Sequence, residues 1–235
     1  MAAIRHDGPE PTMSQEALIH LVEKTPLELC QTIELGEASR ELLRTDPTAK
    51  QFLNLLIEKQ EFPDAARFWA HALPKREAVW WACVCARLVM ADGAPLPQHA
   101  ALDAAEAWCT DPTEENRRKT MPASDAAGLG TPAGCAAAAA FWSGGSLAPP
   151  DVPVVPPGEE LTAHGVAGSV MLAAVRSEPE KAPEKYKAFF ERGLSVAEGT
   201  VRWSEPVIPA PSPTRKASAD DRSTPQTSRP AINWD

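Results

Sequence analysis

Thiols, imidazoles and carboxylates are the side chains able to do chemistry in this chain, which holds five cysteines and five histidines. Cys83 and Cys85 form the tightest cysteine pair. On a helix, residues two apart point about 200° away from each other. They cannot grip one ion from a single helix, and each reads as a small buried hydrophobe. No C-x-x-C spacing occurs and the cysteine count is odd, a pattern that fits reduced thiols in a cytosolic protein. A cysteine hydrolase needs a thiolate beside a histidine. Cys135, close to a predicted helix start, is the best-placed candidate for that role.

The histidines and carboxylates give less. His71 precedes Ala72-Leu73-Pro74 at a helix end, where an imidazole interacts well with the helix dipole. His99 and His164 are read as having no neighbouring carboxylate at a helical spacing that would make a dyad. Glu61, Asp64 and Arg67 read as surface groups, and Glu114-Glu115 and Asp220-Asp221 sit in polar segments with nothing to desolvate them. Gly128-Leu129-Gly130 and Gly144-Gly145 lack the strand and lysine of a phosphate loop. The expectation is therefore no catalytic residue, no cofactor and no metal ligand.

The remaining chemistry-bearing excess is aromatic. Seven tryptophans stand against one tyrosine, and tryptophan anchors cores and interfaces alike. Trp80, Trp81, Trp142 and Trp234 are the candidate partner contacts. The net charge of −9 disfavours nucleic acid. The one compact basic cluster, Arg117, Arg118 and Lys119, follows Glu114 and Glu115 and reads as a solvated helix face.

The elements that would position these residues are helices. Ala78 to Ala91, AVWWACVCARLVMA, carries one charge, Arg87, and reads as a helix buried on most of its circumference. It is too short for a bilayer, which takes about 20 apolar residues, and no other segment suffices. The start, MAAIRHDGPEPTM, has no apolar signal-peptide core, so a cytoplasmic protein is expected.

Residues 1–13 read as a flexible arm, and 14–203 as one helical domain. Ser14 caps a helix over Gln15–Lys24. Thr25-Pro26-Leu27-Glu28 is a capping box that opens a helix ending near Gly36. Further helices are expected over Glu37–Arg44, after Asp46-Pro47, after Pro63-Asp64, after Pro74, over 96–109 and over Thr113–Lys119. A loop follows through Met121-Pro122 to Gly130. Thr131-Pro132 then opens an alanine-rich helix that ends in Phe141 and Trp142, whose small side chains allow close approach by a neighbour.

Residues 143–160, SGGSLAPPDVPVVPPGEE, contain five prolines that exclude regular helix. The interleaved Val152, Val154 and Val155 argue against a solvated linker, so an extended segment lying across the domain is expected. Helix resumes near Leu161, and a last amphipathic helix covers about Pro183–Glu198. Residues 204–235, with six prolines, many Ser and Thr and balanced charge, read as a disordered tail. The fold expected is all-α, a single-domain helical bundle without strands.

Two stretches, FPDAARFWAHALPKREAVWWACVCAR (Phe62–Arg87) and FWSGGSLAPPDVPVVPPGEELTAHGVAGSVMLAA (Phe141–Ala174), resemble an uncharacterised bacterial family of helical proteins, a domain of unknown function. The resemblance covers about residues 14–200 and brings no catalytic motif with it. It implies an accessory component encoded near type VI secretion genes. Three functions remain in play: a non-catalytic protein-interaction module (adaptor, chaperone or scaffold), a hydrolase whose cysteine or metal site assembles from distant residues, and a self-associating structural subunit.

Overall fold

The computed structural model describes residues 21–203, which lie within one compact unit, Met1–Ser204. The expected arm, the start of the first predicted helix, the tail and Trp234 fall outside the described residues. Ten α-helices and no β-strand occur among the described residues. They are α1 (Pro26–Leu29), α2 (Glu37–Leu42), α3 (Ala49–Glu58), α4 (Phe62–Ala72), α5 (Lys75–Val89), α6 (Leu96–Thr110), α7 (Glu114–Ala127), α8 (Pro132–Phe141), α9 (Leu161–Val175) and α10 (Ala182–Ala197).

The helix starts follow their capping chemistry. Thr25 and Glu28 bond reciprocally across the first turn of α1, and Thr48 and Gln51 do the same at α3. Thr113 and Thr131 each accept an N–H from the third helical residue of α7 and α8.

Helix α8 is the most enclosed element. Every residue from Pro132 to Phe141 except Cys135 is buried, and α5, α6, α7 and α9 surround it. Its alanines admit α9 at close range, and Gly165 completes the fit. A Cβ there would lie 2.9 Å from Ala139 Cβ and 3.2 Å from the Trp142 ring. The Ala78–Ala91 stretch forms most of α5 but is not enclosed all round. Trp81, Cys83 and Cys85 face the core, whereas Leu88 is exposed and Arg87 pairs with Asp103 and Glu106 on the outer side.

Five local expectations are corrected. Leu21–Lys24 is not helical, because Val22 N–H donates to Ala72 O at the end of α4 (2.9 Å). Helix α1 stops at Leu29 rather than near Gly36; beyond it, Gly36 N–H is captured by Asp64 Oδ2 (2.8 Å). That bond also places Asp64 inside, so it is not a surface group. Helix α7 runs straight through Pro122 to Ala127. An internal proline costs about 3 kcal/mol, and burial of Thr120 and Ser124, with Ser124 Oγ donating to Gly134 O, offsets it.

The basic cluster is the fifth correction. Arg117 is 3% exposed, not solvated. It forks onto both carboxylate oxygens of Glu114 and donates to Phe141 O and Ser146 O. Arg118 adds a bond to Ala148 O (3.1 Å). Ser146 Oγ accepts the N–H groups of Ala148 and Val155, and Leu147 N–H donates to Val155 O. The proline-rich segment is therefore a closed loop tied down at its base. The valine side chains do not do the tying, since those of Val152, Val154 and Val155 are all exposed; Val155 contributes through its backbone.

Candidate functional site

Four segments meet at a cleft of about 320 Å³: the extended Val22–Lys24, α1, the α4–α5 corner and the first turn of α9. Lys24, Lys75, Glu28, Glu159 and Glu160 supply its charge, and Leu29, Leu73 and Ala163 its apolar wall. His71 reaches it from the last turn of α4.

His71 is held as a neutral base. Its side chain is 8% exposed. Nδ1 lies 2.8 Å from Arg67 O. A carbonyl oxygen only accepts, so Nδ1 carries the hydrogen and, in the neutral ring, Nε2 carries the lone pair. Nε2 is buried without a hydrogen bond and lies 3.5 Å from Glu160 Oε2. Burial pushes the His71 pKa below its ordinary value of 6.5, and the Arg67 carbonyl and Glu160 only partly oppose this.

His164 completes the group. Its ring lies edge-on to His71, with centroids 5.6 Å apart. Glu160 and His164 are four residues apart, and His164 N–H donates to Glu160 O in the opening hydrogen bond of α9. The two side chains therefore share one face. One ligand atom each from His71, Glu160 and His164 lie within 4.8 Å of one another. This corrects the reading that His164 has no carboxylate at helical spacing. Glu160-x-x-x-His164 was the available signal, and it was masked because Glu160 counts, by composition, with the proline segment.

A depressed imidazole pKa has a pH signature. Above about 6.5 the ring is neutral in both the folded and the unfolded chain, and its contribution to stability is fully present. As pH falls, the unfolded chain takes up the proton first, and stability is lost down through the folded-state pKa. Urea midpoints taken between about pH 7.5 and 5.5, with a chelator present, are expected to fall for the natural protein and to fall less for His71→Gln. Equal slopes would remove His71 as the responsible group. Glu160 and His164 are the titratable groups facing it.

The thiols do not assemble a nucleophile. Burial raises the pKa of all five, that of Cys30 to about 12, and Cys83, Cys85 and Cys109 are fully buried. Cys135 sits in the first turns of α8, but its Sγ donates to Leu129 O and burial lifts its pKa.

Nor do the three described tryptophan candidates, Trp80, Trp81 and Trp142, all lie on the surface. Trp81 is fully buried, with Nε1–H donating to Phe189 O (2.7 Å), and is a core residue rather than a partner contact. Trp80 is half-buried and meets Trp203 edge to face at 6.3 Å, while Arg76 covers the Trp203 ring at 3.9 Å. Trp142 is half-buried over Gly165. Of the remaining tryptophans, Trp69 and Trp108 belong to the core.

No helix among the described residues is long and apolar enough to cross a membrane. Residues 52–197, more than half of the chain, match a family of unknown function, DUF6931, and the chain belongs to that family. No curated protein and no solved structure matches it. The matched span contains His71, Glu160, His164, Arg117 and the whole proline-rich loop, and it is narrower than the 14–200 expected from the sequence.

Proposed function

For this member of DUF6931 we propose a non-catalytic protein-interaction module whose contact surface is the tied-down proline-rich loop. The observation that carries this reading is the outward display of three branched apolar side chains on a segment held from beneath. Val152, Val154 and Val155 are 48%, 74% and 49% exposed, and the loop base is closed by Ser146 and anchored by Arg117. Adjacent exposed apolar groups mark contact sites where isolated ones do not. A loop already ordered in the free protein gives up little conformational freedom on binding. The occupant that fits is an apolar groove on another protein, filled by the valines much as other proline-rich extended segments are read.

The raised thiol pKa values favour this reading over a cysteine hydrolase. The sequence resemblance supports an accessory adaptor, chaperone or scaffold role in the cytoplasm, with type VI secretion components as the partner class. Trp80, Trp142 and Trp234 remain the aromatic candidates for a second contact.

The test is an affinity capture from the native cell, followed by reconstitution with the purified captured protein. Full-length protein, Val154→Glu and a truncation after Trp203 are compared. The expected result is a saturable complex that survives truncation and is lost with Val154→Glu, while the variant's melting temperature is unchanged. A complex indifferent to Val154→Glu, one that needs only the tail, or no reconstituted complex would each overturn the loop as the contact. A concentration-dependent mass in light scattering would instead support the self-associating subunit.

A further inference from the structure

The geometry points to a divalent transition-metal site, of the zinc class, formed by His71 Nε2, His164 and Glu160 at the junction of α4 and α9. It is independent of the interaction surface proposed above and uses side chains to which that surface gives no role.

The central observation is an unmade bond. His71 Nε2 is buried, makes no hydrogen bond and lies 3.5 Å from a carboxylate oxygen. With Nδ1 donating to Arg67 O, two acceptors stand opposite each other. Such an arrangement calls for a hydrogen-bond donor or a cation between them. A proton on Nε2 is the simplest choice, but charge-assisted N–H···O bonds close to about 2.7–2.9 Å, well inside the 3.5 Å separation found here. A metal ion fits the same gap better. With bonds of about 2.0–2.1 Å, neighbouring ligand atoms in a tetrahedral site lie about 3.4 Å apart. The Nε2–Oε2 separation already has that value. The other ligand atoms lie within 4.8 Å, so each closes by at most about 1.4 Å. His164 is exposed.

The donor set selects the ion. Two imidazoles and one carboxylate suit zinc and its first-row neighbours, whereas calcium and magnesium take oxygen ligands. His71 also has the tautomer that a metal-binding histidine needs, fixed by a backbone carbonyl on its other nitrogen. The field is mixed. The start of α9 repels a cation and the last turn of α4, where His71 sits, attracts one. Lys75 lines the cleft, but its ammonium bonds Ser143 O (3.1 Å). His71 and Glu160 also line the cleft, so water or a cleft ligand can complete the coordination shell. A bound ion would fasten α4 to the residue where the proline-rich loop ends.

Full-length protein, stripped with a chelator, is titrated with Zn2+ against a chromogenic chelator, and with Co2+ while its visible absorption is followed. The expected result is saturation at one equivalent, with the visible bands of a low-symmetry, four- or five-coordinate cobalt centre. His164→Ala and Glu160→Gln, both at sites open to solvent, are each expected to weaken binding at least about tenfold. His99→Ala, on α6, is expected to leave it unchanged. His71→Ala abolishes binding and is read only if its helical signal is retained. The proposal is overturned if no one-equivalent site saturates, or if the His164→Ala/Glu160→Gln double variant binds as tightly as the natural protein.

Discussion

Trp81→Ala is expected to lower the stability of the helical domain by about 3–5 kcal/mol, the range for removing a large buried aromatic side chain. The side chain has no exposed surface. Its ring packs against Phe190 with centroids 6.0 Å apart, and its indole N–H ties α5 to α10 through Phe189 O. Alanine removes the ring and that bond together, and the surrounding side chains cannot collapse far into the space. The α10 backbone comes this close only because residue 193 is glycine. A Cβ there would stand 3.0 Å from Trp81 Nε1 and 2.6 Å from Trp69 Nε1. At about 2–4 °C per kcal/mol for a domain of this size, the loss corresponds to a melting temperature lower by about 10 °C. Trp80→Ala removes an equal side chain from a half-buried position and is expected to cost clearly less. Urea and thermal unfolding of the two variants side by side check this. Equal effects would mean that the two tryptophans do not divide into an inward and an outward one.

Much of the helical framework was legible because it rests on local chemistry. Thr25 with Glu28, Thr131 with Pro132 and the apolar face of α10 each announce themselves within one or two turns. What was not legible depends on residues far apart in the chain. Pro122 reads as a breaker, and only the fit of α7 on α8 keeps the helix running past it. Arg117 reads as a solvated charge among charges. Its burial is decided by Phe141 O and Ser146 O, which lie 24 and 29 residues on. The two adjacent tryptophans of α5 carry no local mark of which one faces α10. His71 and His164 are 93 positions apart in sequence, and the bundle, not a motif, brings them together. Only the Glu160–His164 half of that group was written locally.

Arg117→Leu is expected to be the most damaging single change outside the apolar core, at about 2–5 kcal/mol, because two carbonyl acceptors lose their donor at about 1–3 kcal/mol each. The guanidinium is 3% exposed and makes four kinds of contact at once. It forks onto Glu114, donates to Phe141 O where α8 ends, donates to Ser146 O at the loop base (3.0 Å), and covers the Phe141 ring at 4.6 Å. Leucine keeps bulk but supplies no donor, so the contacts to Phe141 O and Ser146 O are lost. Glu114 is left half-exposed and still paired with Arg118, so it adds little to the penalty. Arg118→Leu is the control. Arg118 is 29% exposed, and such pairs contribute up to about 1 kcal/mol. The loop gives a second readout. Arg117→Leu is expected to raise amide exchange at Leu147, which donates to Val155 O, and at Val155, which donates to Ser146 Oγ, and to weaken any complex made through Val154. Arg118→Leu, which loses the bond to Ala148 O, should change both less. Exchange unchanged in both variants would mean that Ser146 alone holds the loop, and the buried arginine would then serve α7 and α8 rather than the surface that they carry.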